Sequence, residues 1–321
     1  MKLCVLTVPL QAQPAAEAFA YLSSLGVQQV ELGTGGYTNK NHADPDILLA
    51  QPEKLAELKK ALDDNRLTIA ALSCHGNAVH PDKAVAAEAH RVFVRTCELA
   101  EKLGVDTIVT FSGCPGDSAT SQRPNWVTCS WPPEYGETLR YQWDEVLIPY
   151  WKEAVKIAES HGVRHIALEM HPGFCVYNPA SLLRLREAVG PLIGANVDPS
   201  HLIWQGMDPV AVLRELKGAV YHFHAKDTYV DPYNKARNGV LDTGAYGSLL
   251  DRSWSFRTIG YGTDEKQWKD ILSALRLIGY DGAVSIEHED GLMSVREGLE
   301  KAIHFLQNIL MQEPPATMWW A

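Results

Sequence analysis

Short apolar runs of four to six residues alternate with longer amphipathic stretches along the whole chain. The runs fall at residues 3–8, 29–32, 67–72, 106–111, 164–169, 193–197, 219–224 and 283–287, each the length of a buried strand. Residues 14–25, 52–64, 83–103, 139–161, 178–189, 209–216, 265–277 and 293–310 carry helical periodicity. Pro14 stands at a permitted early helical position and Gly26 just past the stop.

Strand and helix in strict alternation mark a parallel sheet covered by helices. Eight such units without a composition break predict an α/β fold, a single-domain (β/α)8 TIM barrel over residues 1–312, followed by a tail at 313–321. Two stretches break the rhythm, after the fourth and seventh strands. Residues 112–137 carry Trp126, Trp131 and Tyr135, and residues 225–262 carry Tyr229, Tyr233, Tyr246 and Trp254. Loops of that length in a compact domain are usually functional or disordered, and in residues 112–137 the aromatic content favours an ordered lid.

Length alone leaves two average domains or one barrel open, since the chain has 321 residues. A hydrophobic share of 46% indicates a large core and makes disorder implausible away from the ends. The net charge of −10, with no Lys/Arg cluster, argues against a nucleic-acid partner. Six scattered cysteines form no C-x-x-C pair and read as reduced, buried thiols. No run approaches a membrane span, and the apolar start is too short for a signal-peptide core, so a cytoplasmic protein is expected. No G-x-G-x-x-G follows the first strand, which removes support for a dinucleotide fold.

Barrel enzymes build their sites at the C-terminal ends of the strands. Four consecutive strands end here on an ionisable residue: Glu169, Asp198, His224 and Glu287. Each has an ordinary explanation. Asp198 before Pro199 reads as a helix N-cap, Glu287 as part of an acidic turn, and His224 as a satisfied interior histidine. Glu169, between Leu168 and Met170, is hardest to explain away, because an acid ending an apolar run needs a partner. Taken together, three carboxylates and one imidazole suit a hard or borderline divalent cation with coordination positions left for substrate oxygens.

Glu169 in ALEMHPG, Asp198 and His201 in NVDPSHL, His224 in HFHAKDT and Glu287 in SIEHED resemble the xylose isomerase-like TIM-barrel superfamily. This sugar phosphate isomerase/epimerase family includes ketose 3-epimerases, inosose dehydratases and endonuclease IV. The resemblance implies one divalent metal ion, Mn2+ first and Mg2+, Co2+ or Zn2+ after it, held by Glu169, Asp198, His224 and Glu287. It also implies that Glu169 and Glu287 serve as acid and base on opposite faces of a sugar. The activity expected is a metal-dependent sugar isomerase or epimerase, acting on a keto-sugar or keto-glycoside by proton abstraction next to the carbonyl through an enediolate. The alternatives are a dehydratase or lyase using the same intermediate, and an endonuclease IV-like hydrolase, which the acidic balance counts against.

His201, His171 and Lys226, just beyond strand ends, are expected to contact substrate, with His75 and Glu31 on the far side of the pocket. Lys226 has an alternative pairing with Asp227. Aromatics of the long loops, Trp126 among them, suit stacking on sugar C–H faces. Only Lys226, Arg252 and Arg257 offer charge for a phosphate, and no Gly-rich cradle precedes a helix, so a non-phosphorylated sugar is expected. The Trp319-Trp320 tail and family habit suggest a homo-oligomer, dimer or tetramer.

Overall fold

A computed structural model describes residues 1–320; residue 321, the end of the expected tail segment 313–321, lies outside the described residues. Eight parallel strands close into one barrel: β1 (Lys2–Leu6), β2 (Gln29–Gly33), β3 (Thr68–Ser73), β4 (Thr107–Thr110), β5 (His165–Glu169), β6 (Ile193–Val197), β7 (Val220–Ala225) and β10 (Ala283–Ile286). Between β7 and β10 a separate antiparallel pair, β8 (Asp227–Val230) and β9 (Trp254–Arg257), stands outside the barrel. The expected (β/α)8 TIM barrel is therefore the observed fold. No helix among the described residues is long and apolar enough to cross a membrane.

Period-two alternation sorts the barrel strands into two layers. Leu32, Leu72, Ile108, Leu168, Val197 and Phe223 point outward into the core shared with the helices, whose largest buried members are Trp151, Trp268 and Phe19. The inward face is small and polar. Ala71, Val109 and Ala167 fill its lower end, and a bulge opposite Ala195 and Asn196 lets Tyr221 pack on them. Gly194 provides the room, since a Cβ there would lie 2.2 Å from the Tyr221 ring. Above this plug the interior carries Glu31, Ser73, Glu169, Asn196, His222, His224 and Ser285, all buried.

Two expectations about the long connections change. Residues 225–262 are not a plain loop: they hold β8, β9 and a short helix, Pro232–Asn238. Asp227 anchors this insert by accepting hydrogen bonds from the backbone N–H of Gly260 (2.9 Å), Gly262 (3.1 Å) and Thr263 (3.0 Å) and from Trp268 Nε1 (3.2 Å). Lys226 accordingly does not pair with Asp227. In the other long connection, helix begins at Pro133–Arg140 and runs through a π-helical turn, Tyr141–Leu147, into Ile148–Ser160. Within the π turn Gln142 Nε2 donates to the carbonyls of Pro115, Gly116 and Asn125 and ties down the preceding loop. In the described part of the tail, Met318, Trp319 and Trp320 are all exposed.

Candidate metal centre and active site

Four strand ends deliver the cluster. Glu169 is the last residue of β5, His224 the penultimate residue of β7, and Asp198 and Glu287 follow β6 and β10 directly. One ligand atom from each, three carboxylate oxygens and one imidazole nitrogen, lies within 4.8 Å of the others. The barrel thus brings together all four residues that the sequence singles out as metal ligands.

The donor set fits a cation. Asp198 Oδ2 and His224 Nδ1 are buried in the cluster, Oδ2 with Lys226 Nζ at 3.2 Å and Nδ1 with Glu287 Oε2 at 3.0 Å, and three carboxylates converging on one imidazole are the donor chemistry of a divalent cation. Asp198 performs two tasks with its two oxygens: Oδ1 accepts the Ser200 N–H at 2.8 Å and caps the helix Pro199–Trp204, leaving Oδ2 to face the cluster. The N-cap and cluster readings of this residue are compatible.

Each carboxylate is held by specific neighbours. His75 Nε2 donates to Glu169 Oε2 at 3.0 Å and Asn196 Nδ2 to the same oxygen at 3.3 Å, while His201 Nε2 lies 3.1 Å from Glu169 Oε1. Burial pushes Glu169 up, but the hydrogen bonds from His201, His224 and His75 outweigh it and hold the acid well below the usual carboxylate range. Burial likewise raises Glu287, and the Lys226 charge overcomes it to leave a net lowering. Asp198 goes the other way: burial, with the Glu287 and Glu169 charges behind it and Lys226 opposing, pushes it up to about 7.

Lys226 is buried among the acids, its Nζ 3.2 Å from Asp198 Oδ2, 3.0 Å from Glu287 Oε2 and 3.1 Å from Glu289 Oε2. His224 sits between two sets of acids. Its Nε2–H donates to both Glu31 oxygens, at 3.0 and 3.1 Å, and its Nδ1 lies 3.0 Å from Glu287 Oε2 and 3.3 Å from Glu169 Oε2. Burial alone would lower the pKa of this imidazole, but the Glu31 and Glu287 charges raise it well above the ordinary histidine value. His201, by contrast, is brought down to about 3 by burial, with His171 and Lys226 beside it, and is neutral.

The cluster opens into a cavity of about 400 Å3 lined by Glu169, Glu287, Lys226, His171 and His75 together with Leu6, Tyr37 and Phe111. The structure therefore places His75, His171 and Lys226 at the cavity, as the sequence suggests. His201 lies behind the carboxylates, buried against Glu169 and Asp198 rather than on the cavity wall.

Three other candidates move elsewhere. Glu31 does not face the pocket: it is fully buried, and His222, His224, Ser73 and Ser285 all donate to it. Trp126 lines a separate cavity of about 270 Å3 with Trp143 and Tyr177 rather than the one at the cluster. Arg257 is paired with the buried Asp290 at 3.2 Å.

Sequence reasoning passed over His222, Asn196 and Ser285. His222 carried a signal, because in an H-x-H strand both imidazoles point the same way, and the structure puts both inside the barrel against Glu31. Glu31, His222 and His224 form a second group whose ligand atoms reach one another, as do Glu169, His171 and His201.

Fold and site define an α/β barrel whose C-terminal mouth carries a buried His/acid cluster able to hold a metal ion. More narrowly, the chain belongs to the xylose isomerase-like TIM-barrel family, whose model matches residues 19–309. It is 40% identical over 315 residues to the protein YfiH of Bacillus subtilis strain 168, covering 97% of this chain and 100% of that one. Among solved structures it is similar in fold to the 3-keto-D-glucoside 4-epimerase YcjR of E. coli, with a TM-score of 0.66 and 14% identity over 96% of this chain and 99% of that one. It is also similar to the zinc-bound protein IolI, with a TM-score of 0.64 and 20% identity over 96% of each chain.

Proposed function

We propose that this protein is a divalent-metal-dependent keto-sugar isomerase or epimerase that moves a proton at the carbon next to the carbonyl. The observation that carries the reading is the convergence of Glu169, Asp198, His224 and Glu287 within 4.8 Å at the mouth of a sugar-sized cavity. These four residues would hold the ion, Mn2+ being the first candidate for an oxygen-rich set. When bound, the ion supplies Lewis-acid stabilisation of negative charge developing on the substrate carbonyl oxygen.

The chain's own groups do the rest. One of Glu169 and Glu287, as the carboxylate, takes the proton from one face of the reacting carbon, and the other, entering the cycle as the carboxylic acid with a proton drawn from solvent, gives one to the opposite face. The Lys226 ammonium, on the cavity wall, offsets charge on the same oxygen. His171 and His75 offer ring nitrogens to hydroxyls, and Tyr37 and Phe111 present apolar surface to the C–H face and keep water out. Among the described residues the arginines near the cavity are not free for a phosphate, since Arg257 is committed to Asp290 and Arg252 to the carbonyls of Trp254 and Gly244. The activity of the E. coli fold neighbour on a 3-keto-glucoside falls in the same reaction class.

Incubation of Mn2+-loaded protein with a panel of keto-hexoses and keto-glucosides in D2O tests the proposal. Solvent deuterium should enter next to the carbonyl of at least one substrate and stop on addition of chelator. No incorporation across the panel with Mn2+, Mg2+, Co2+ and Zn2+ in turn would overturn it.

A further inference from the structure

A second cavity, of about 510 Å3, adjoins the first: His171 and Glu289 line both. The insert between β7 and β10 builds it, with Tyr246, Leu249, Ser255 and Phe256 on one side and Glu289 and Asp290 on the other. Phe256 sits at the junction, 5.3 Å edge-on from His201 and with Lys226 Nζ 4.6 Å from its ring centroid. Tyr246 stacks beyond it at 6.0 Å and 24°, so the platform continues away from the cluster. Arg252 braces that platform from behind, its guanidinium 4.4 Å from the Tyr246 centroid and 4.5 Å from that of Trp254.

We infer that this second lobe binds the far ring of a glycosidic substrate, so that the molecule handled is a keto-glycoside rather than a free keto-hexose. The inference rests on the isomerase reading only for which ring carries the carbonyl. Three features favour a neutral, hydroxylated ring. Tyr246, 60% exposed at the end of this aromatic stack, offers ring surface for sugar C–H bonds. Every charge in the lobe is already matched or spent: Glu289 by Lys226, Asp290 by Arg257, Arg252 on the carbonyls of Trp254 and Gly244. Glu289, half exposed, and Ser255 line the lobe and offer oxygens for hydrogen bonds with sugar hydroxyls. Lobes of about 400 and 510 Å3 joined at His171 and Glu289 exceed what one hexose ring fills and match the range of pockets for larger ligands.

The test is calorimetric binding to the full Mn2+-loaded chain, with 3-keto-glucose, its 6-phosphate and 3-keto-maltose as probes. The disaccharide should bind at least about tenfold tighter than the monosaccharide, and in Tyr246→Ala and Phe256→Ala that ratio should fall toward one. Equal affinities for one and two rings, preference for the phosphate, no binding of any probe, or a ratio that survives both substitutions each overturn the inference. Turnover is not read, so tighter disaccharide binding without deuterium exchange sinks the isomerase reading alone.

Discussion

His224 Nε2 lies 3.0 Å from Glu31 Oε1 and 3.1 Å from Oε2, so the carboxylate deep in the barrel fixes which nitrogen of the imidazole carries a proton. Nδ1 is thereby left to face Glu169 and Glu287. Histidine ligands are commonly oriented by such a carboxylate, and its loss costs about 10–100-fold in metal affinity. Glu31→Gln, which keeps the volume but weakens the acceptor, should loosen Mn2+ binding by that factor in a calorimetric titration. Unchanged affinity would show that Glu31 serves the fold alone.

Cation binding at this cluster must expel protons. Burial holds Asp198 near 7, and the Glu31 and Glu287 charges keep His224 protonated above the usual range. Both groups coordinate only when deprotonated, so a rise in pH favours the ion: affinity should increase from pH 6 to pH 8, by on the order of tenfold per pH unit for each proton displaced. Titrations in two buffers of different ionisation enthalpy count the protons directly. An affinity flat over this range contradicts the assignment of Asp198 and His224 as ligands.

Lys226 is the counter-charge of the metal-free cluster, touching Asp198, Glu287 and Glu289 from a buried position. Lys226→Met leaves those acids facing one another. Breaking a buried pair in this way costs about 3–5 kcal/mol, so the metal-free variant should melt well below the parent. Saturating Mn2+ should recover part of the loss. A variant that melts like the parent without metal contradicts this role.

Glu169→Gln and Glu287→Gln test the proton-transfer assignment. Each removes a positioned acid or base, a loss typically worth 10²–10⁴ in rate, and each also removes one charge from the cation site. Deuterium exchange should therefore fall by at least about 100-fold while circular dichroism still reports the parent fold. Exchange near the parent rate in either variant removes that residue from the chemistry.

The barrel was legible because every strand run is apolar and short, and because four of them stop on an ionisable residue. Strand positions follow from alternation, but depth does not. Glu31 and Glu169 both end apolar runs, yet Glu31 lies in a polar layer closed by Ser73, Ser285 and two histidines, and only the registers β2–β3 and β7–β10 reveal it. The hairpin of β8 and β9 escaped for a related reason. Trp254 and Phe256 alternate with Ser255 and Arg257, but four residues are too few to separate a strand from a loop. Trp126 and Arg257 were placed by residue type, and their partners, Tyr177 and Asp290, are distant in sequence. Asp198 shows the converse, since its N-cap signal and its place in the cluster are both realised, one oxygen each.

The most direct measurement is metal content of the purified chain and of Asp198→Asn after loading with Mn2+ and exhaustive dialysis. Asparagine keeps the cap on the Ser200 N–H while removing the charge from the cluster. One ion per chain is expected in the parent and a loss of bound ion in the variant, with the melting profile of the metal-free protein preserved. No bound ion in the parent, three ions per chain, or full retention of the ion by Asp198→Asn would contradict it.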